Sequence, residues 1–340
     1  MSSILKQYIA EFQSGRDLAG EDAEPVLDAL ITETNESLMA DVFSAWNRKG
    51  IEENEIFSIA NILRARCTKV NPRHETVVDI VGTGGSKAKT FNVSTAAAFV
   101  VAGAGVAVAK HGNKAATSNT GSADVLSALG VEPAVDAATA ERCLNDIGIC
   151  FMFAPNFHRL SLTLGKVRRS LGFPTIFNCV GPLCNPAGAS HQLIGVWDKQ
   201  LVPKMAGALS RLDTKKSWIV YGSEGLDELS LRGTSLVAEV ANGTFREFEV
   251  SPGDFGIADS PVDGFRCDSP TASCAVIRGI FQDEPNHGPA LSIVAMNAAA
   301  ALFISGKSDD LSTATRMASE SISKGRALEK LNALREATQK

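Results

Sequence analysis

Three glycines within four residues follow a short β-branched run. Val77-Val-Asp-Ile-Val81 leads into Gly82-Thr-Gly-Gly-Ser-Lys87. Glycines let the backbone turn tightly, so several N–H groups can aim at one point. That is an anion-binding nest, of the kind that often precedes a helix N-terminus; an ordinary strand-to-helix turn is the alternative. The spacing fits neither the dinucleotide fingerprint, which wants Gly or Ala where Lys87 stands, nor a Walker loop. Downstream, Thr90-Phe-Asn-Val-Ser-Thr95 puts Asn92, Ser94 and Thr95 at a helix start. There an amide and two hydroxyls serve either a phosphate or the helix cap. Lys110-His-Gly-Asn-Lys-Ala-Ala-Thr-Ser118 and Gly121-Ser-Ala-Asp124 follow a second strand. Two cations, an imidazole and several hydroxyls suit a polyanion such as a diphosphate, or make a solvated polar loop.

Two further groups complete the set. His158 and Arg168 lie ten residues apart and can share one helix facing a cavity. Arginine is the fork that matches a planar carboxylate. Gly225-Leu-Asp-Glu-Leu229 carries adjacent carboxylates, Asp227 and Glu228, after a strand and a glycine turn. Such hard oxygen ligands hold Mg²⁺, which keeps waters and substrate phosphate oxygens in its remaining positions; the alternative is an exposed acidic turn.

These residues must be held by the elements between them. Apolar residues at helical spacing (Ile4, Tyr8, Ile9, Phe12; Ala23, Val26, Leu27, Leu30; Leu38, Val42, Phe43, Trp46; Ile56, Ile59, Ala60, Leu63) predict four short amphipathic helices before Pro72. Strands are expected at 77–81, 106–109, 149–153, 193–197, 218–221, 236–240 and 244–250, the last two joined through Asn242-Gly243. Helices at 94–104, 122–129 and 289–302 alternate with them. The fold class is therefore α/β: a small N-terminal helical domain and a larger α/β domain with a central, mostly parallel sheet. Ligands of such sheets sit beyond the C-terminal strand ends, the edge that the glycine loop and the Lys110 loop share.

Composition bounds the rest. The 340 residues are 44% hydrophobic and 21% charged, ordinary for a globular enzyme. Net charge is −5, with no basic stripe, which argues against a nucleic-acid partner. The longest apolar stretch, Ala96 to Ala109, is broken by Gly103 and Gly105 and is too short for a membrane helix. Met1-Ser-Ser-Ile-Leu-Lys6 lacks a basic start before an apolar core, so a cytoplasmic protein with no membrane partner is expected. The seven cysteines show no C-x-x-C pair and read as buried thiols.

Together the blocks D-I-V-G-T-G-G at 79–85, T-F-N-V-S-T at 90–95, K-H-G-N at 110–113 and F-N-x-x-G-P-L-x-N-P at 177–186 resemble the anthranilate phosphoribosyltransferases. The likeness runs from the N-terminal helices to the Ala-rich helix at Met296–Ala301. It implies a helical domain at 1–72 with a helical insertion near 158–180, an α/β domain at 73–340, and a homodimer through the helical domain. It implies transfer of the phosphoribosyl group of phosphoribosyl pyrophosphate (PRPP) to the amine of anthranilate, in tryptophan biosynthesis. By resemblance, Gly82, Gly85, Ser86, Thr90, Asn92, Ser94, Thr95, Lys110, Ser118 and Ser122 contact PRPP. Gly82, Asn113, His111, His158 and Arg168 meet anthranilate. Ser94, Asp227 and Glu228 hold Mg²⁺, two ions with PRPP bound. Ser86, Lys114 and Asn119 stand where relatives usually have Asp, Arg and Lys. The alternatives are a pyrimidine nucleoside phosphorylase-like enzyme and a catalytically silent nucleic-acid-binding relative.

Overall fold

The four amphipathic stretches near the N-terminus have more apolar surface than four short helices can bury among themselves. In the computed structural model they form α1 (Ser3–Gln13), α2 (Ala23–Thr32), α3 (Glu36–Lys49) and α4 (Glu53–Arg66). The structure describes residues 3–86, 90–114, 120–261, 267–282, 284 and 288–339. Asn35 caps α3 by accepting from the Leu38 N–H. Glu55 is fully buried yet satisfied, accepting from the Leu18 N–H, the Trp46 indole and Lys49, as a buried carboxylate must be.

Beyond Pro72 the chain alternates strand and helix: β1 (Val77–Gly82), α5 (Val93–Gly103), β2 (Ala107–Gly112), α6 (Ser122–Ala128), α7 (Ala137–Ile147) and β3 (Ile149–Phe153). Three short helices follow, α8 (Ala154–His158), α9 (Leu162–Ser170) and α10 (Ile176–Leu183). The sheet resumes with β4 (His191–Gly195), α11 (Leu201–Ser210), β5 (Lys216–Tyr221), β6 (Ser235–Ala241) and β7 (Thr244–Val250), and the chain ends in α12 (Pro270–Phe281), α13 (Gly288–Ile304), α14 (Leu311–Ser323) and α15 (Arg326–Thr338).

The seven strands form one sheet in the order β3-β2-β1-β4-β5-β6-β7. The first five are parallel; β6 and β7 add an antiparallel hairpin. Asn242 and Gly243 both take positive φ at its turn, 54° and 74°, as a two-residue hairpin requires. Successive strand residues point to opposite faces. Leu193, Trp218 and Val220 join the core under α5 and α12–α15. Their neighbours Ile194 and Ile219 join a second core that takes in α1–α4 and α9–α11.

The chain lays down β1, β2 and β3 toward one edge, then returns to lay β4 and β5 toward the other. The switch lies between β1 and β4, paired from Val78↔His191 to Gly82↔Gly195. Segments leaving these strands diverge, and a crevice opens beyond their C-terminal ends.

Several expected boundaries move by one or two residues, the fourth strand from 193–197 to His191–Gly195 among them, and one moves by three. The second strand runs on through Lys110, His111 and Gly112, which by sequence belong to the loop after it. The reason is the ladder to β3, which pairs Lys110 with Phe151 and Gly112 with Phe153.

Candidate active site

The turn carrying Asp227 and Glu228 crosses directly over the ends of β1 and β4. Two glycines make that possible. A Cβ on Gly195 would lie 1.6 Å from the Asp227 carbonyl oxygen, and one on Gly82 would lie 2.6 Å from its Oδ2. No side chain fits at either point, so the acidic turn is seated on bare backbone. Glu224 and Gly225 enter the turn in the left-handed region, with φ of 65° and 79°.

The glycine loop then clasps the turn from the side. The Gly84 N–H donates to Asp227 Oδ2 at 3.0 Å, the Ser86 hydroxyl to the Gly225 carbonyl at 2.7 Å, and the Thr90 hydroxyl to Glu228 Oε1 at 2.7 Å. Gly84 and Gly85 have φ of 66° and 83°, a region that costs most other residues about 1 kcal/mol or more. Burial raises both carboxyls. Glu228 is pushed up to about 8 by burial and then by the charge on Asp227. Among the described residues neither carboxylate has an ion-pair partner. Two adjacent, desolvated carboxylates without a cation fit a divalent ion; the Thr90 hydroxyl already reaches Glu228, and Ser94 lines the same cavity. No cluster of three or more acidic, histidine or cysteine ligands occurs among the described residues, so the remaining positions fall to water and substrate oxygens.

Beneath the cavity lies a buried polar network. Asp79, fully buried on β1, accepts from the His111 N–H at 3.2 Å and from the Asn185 amide at 2.8 Å. Asn185 also donates to the Ala109 carbonyl and accepts from the Ala187 N–H. Lys110 donates to the Ile80 carbonyl at 2.6 Å and to the Ser94 hydroxyl at 3.3 Å. Burial lowers this lysine to about 8 and raises Asp79 to about 6, each opposed by the other's charge. The resting ammonium is thus tethered to β1 and α5.

On the far side of the glycine loop, Arg168 extends from α9 with its guanidinium 5.1 Å from the centre of the Phe177 ring. It reaches Asn178 Oδ1 at 3.5 Å, and the Asn178 amide donates to the Thr83 carbonyl at 3.1 Å. Burial, then the Arg169 charge, lowers Arg168 to about 10, so it stays cationic at neutral pH. Its Nε is buried with no hydrogen-bond partner among the described residues. His111 and His158 sit Nε2 to Nε2 at 3.1 Å. Burial holds both far below the usual imidazole value, His111 at about 3 and His158 at about 4, so they are neutral. His158 and Arg168 do not share one helix: α8 stops at His158 and Arg159 turns left-handed, φ 49°.

One cavity of about 670 Å³ gathers these groups. It is lined by Gly82, Gly85, Ser86, Thr90, Asn92, Ser94, Lys110, His111, Asn113, Ser122, His158, Arg168, Asp227 and Glu228, fourteen of the sixteen residues singled out from sequence. Thr95 is fully buried in α5 and outside the lining, because the third residue of that helix turns toward the core rather than the helix mouth. Ser118 lies outside the described residues, as do Asn119, Lys87 and Lys89. Asn92 is held by Ser273 of α12, which donates to its Oδ1 and accepts from its N–H. Ser122 packs against Gly112, where a Cβ would come within 2.2 Å of its hydroxyl.

Sequence reasoning assigns no role to Gly195, Asn178, Asn185 or Asn297. Gly195 carries a signal, since a glycine inside a strand often marks a close backbone approach. The three asparagines fall in blocks the sequence picks out, at 177–186 and 296–301, but their roles do not show there, because each has a partner remote in sequence: Thr83, Asp79 with Ala109, and Leu229.

Comparison with known proteins agrees with this geometry. The model of the glycosyl transferase family, a/b domain, matches residues 74–328. An anthranilate phosphoribosyltransferase of Chloroflexus aurantiacus is 43% identical over 330 residues, covering 96% of this chain and 97% of that one. One from Laribacter hongkongensis is 45% identical over 290 residues, covering 84% of each. Among solved structures, the anthranilate phosphoribosyltransferase of Thermus thermophilus superposes with a TM-score of 0.88 at 34% identity, covering 98% and 99% of the two chains. The Saccharomyces cerevisiae enzyme in complex with PRPP and Mg gives 0.89 at 27% identity, covering 100% and 99%.

Proposed function

The chain belongs to the anthranilate phosphoribosyltransferases, and from that premise we propose how its own residues divide the work. The reaction transfers the phosphoribosyl group of PRPP to the amine of anthranilate and releases pyrophosphate, a step of tryptophan biosynthesis. This reading takes the place of the nucleoside phosphorylase and of the silent nucleic-acid binder. A single observation carries the assignment of roles. One cavity presents an acidic pair on a glycine seat with no ion-pair partner among the described residues, together with a buried arginine whose Nε has no acceptor among them.

The glycine loop (Gly82, Gly85, Ser86, Thr90), the start of α5 (Asn92, Ser94) and Lys110 with Ser122 receive PRPP. Ser118 completes that set by resemblance. Mg²⁺ is the metal, held by Asp227 and Glu228 with Ser94, and we take the number of ions with PRPP bound as two. Its chemistry there is to neutralise charge that builds on the departing pyrophosphate. Loop amides and Lys110 are fixed before the reaction and add to that stabilisation without reorganising. As the bond from C1 to pyrophosphate breaks, the ribose gains oxocarbenium-like character. The neutral aromatic amine then attacks C1, and the surplus proton on its nitrogen passes to solvent after the bond forms, so no strong base is needed to activate it.

Arg168 is placed to pair with the anthranilate carboxylate, with Phe177 beneath the guanidinium and His111, His158 and Asn113 lining the same cavity. A charge-assisted bond of this kind contributes roughly 1.5–3 kcal/mol. Arg168→Ala is expected to raise the KM for anthranilate about tenfold or more, with PRPP affinity unchanged within about twofold. A fall in PRPP affinity instead would move Arg168 to the donor side.

Residues 1–72 with the insertion near 158–180 form the helical domain in this reading, and 73–340 the α/β domain. Support comes from the apolar cluster that joins α1–α4 to α9 and α10. A homodimer through that helical domain and a cytoplasmic setting complete the proposal. The seven cysteines are all free and buried, as in a reducing compartment, and no helix among the described residues is long and apolar enough to cross a membrane. The activity is tested by the loss of anthranilate fluorescence on adding PRPP. Consumption that needs both PRPP and Mg²⁺ is expected; none under saturating substrates would overturn the assignment.

A further inference from the structure

Helix α13 is an Ala-rich rod: Ala298, Ala299, Ala300 and Ala301 are all fully buried. In its middle sits one amide, Asn297, only 2% exposed. Asparagine is a poor residue inside a helix, and burying an amide costs free energy unless each polar atom is paired. Here each is. Asn297 Oδ1 accepts from the Leu229 N–H at 3.0 Å. Its Nδ2 donates to the Leu229 carbonyl at 3.2 Å and to the Ile293 carbonyl one turn back at 2.9 Å.

Both backbone groups of one residue are therefore gripped by one side chain, as a neighbouring strand would grip them. Leu229 follows Glu228 directly. The acidic turn is thus fixed on three sides: Gly82 and Gly195 beneath, the Gly84 and Thr90 donors at the cavity face, and Asn297 behind. Gly84 and Thr90 line the cavity, so their donors are within reach of whatever enters it. Asn297 is absent from the lining, and its bonds can persist when a ligand takes the loop donors.

We propose that Asn297 is a positioning residue for the metal-holding pair, its grip on the Leu229 peptide fixing where the Asp227 and Glu228 carboxylates stand in the cavity. The proposal rests on the metal reading above and extends it to a residue that touches neither substrate nor metal. It makes the final helical layer part of the donor site. Geometry alone supports it: two carboxylates share an ion only if the turn bearing both keeps one orientation, and an unheld turn would lose that on release of Gly84 and Thr90.

The test compares Asn297→Ala with Met296→Ala, an adjacent, fully buried position on the same helix with no polar link to the turn. Three quantities are read on the full chain: Mn²⁺ affinity with PRPP present, from free Mn²⁺ by electron paramagnetic resonance; the Mg²⁺ concentration for half-maximal rate; and the KM for anthranilate. Asn297→Ala is expected to weaken the first and raise the second about tenfold, with the third unchanged within about twofold. Met296→Ala, with a comparable loss of Tm, is expected to leave all three near wild type. Should Asn297→Ala not fold, Asn297→Ser, which keeps one hydroxyl for the Leu229 peptide, is expected to show the same shift, smaller. Unchanged Mn²⁺ affinity in a destabilised Asn297 variant would overturn the proposal and leave the residue a core amide. Wild-type enzyme that takes up no Mn²⁺ with PRPP would overturn the metal reading, and the positioning role with it.

Discussion

Asp227→Asn combined with Glu228→Gln is expected to cut Mg²⁺-dependent turnover by at least about a hundredfold, the scale on which removal of a key charge-stabilising group acts. The fold is expected to survive, and metal-free stability at neutral pH to rise. The sign follows from burial. Glu228 is raised from 4.5 to about 8, chiefly by burial and then by Asp227. The folded chain therefore holds this proton more tightly than the unfolded one. Stability from this group is complete below about pH 4.5 and is lost as pH climbs through about 8. Amides carry no such proton, so the Tm of the double variant minus that of wild type should grow between about pH 5 and 8 without Mg²⁺. Thermal melts across that range check it. A flat difference would mean the pair is solvated, and retained turnover at saturating Mg²⁺ would remove it from the metal site.

Gly195→Ala should be nearly as damaging, though Gly195 has no side chain to do chemistry. The added methyl would meet the Asp227 carbonyl oxygen at 1.6 Å and its carbon at 2.2 Å. Backbone stands against backbone, so no flexible side-chain end can move aside. Either the acidic turn lifts from the strand end or β4 bends. An overpacking cost of about 1–3 kcal/mol is usual for such insertions, and a displacement of about 1 Å at a reacting centre costs about a hundredfold in rate. We expect kcat/KM for PRPP to fall about a hundredfold, with the sheet intact by circular dichroism. Gly288→Ala, where nothing lies within 4 Å of the new Cβ, serves as the control. Near-normal kinetics in Gly195→Ala would show that the turn does not need its seat.

Much of this molecule is legible in its sequence, because local chemistry writes it there. Short β-branched runs become all seven strands, Asn242-Gly243 makes the hairpin turn, and helical spacing of Ile4 through Leu63 yields α1–α4. The cavity lining is legible for a related reason: glycines, hydroxyls and charges cluster at strand ends because ligands bind there. What escapes is whatever depends on partners distant in the chain. Thr95 looks like Ser94 by type, yet one step along α5 turns it into the core. The Lys110 stretch reads as loop until β3 arrives to pair with it. His158 and Arg168 fit one helix by count, but Arg159 breaks it. Asn185, which ties Asp79 to Ala109, bonds across 106 and 76 residues.

The second apolar core also bears on how the chain is made. Side chains from Leu5 to Leu63 are buried with others as far along as Ala238 and Val240. A ribosome adds roughly 5–20 residues per second, so the N-terminal helices are synthesised on the order of 10 s or more before the strands that complete their burial. During that interval their apolar faces, Trp46, Phe43 and Leu30 among them, have only one another. A nascent chain stalled near residue 72 would then be a chaperone client rather than a finished module, and late-emerging sheet residues would set the moment at which the first-made segment becomes safe from aggregation.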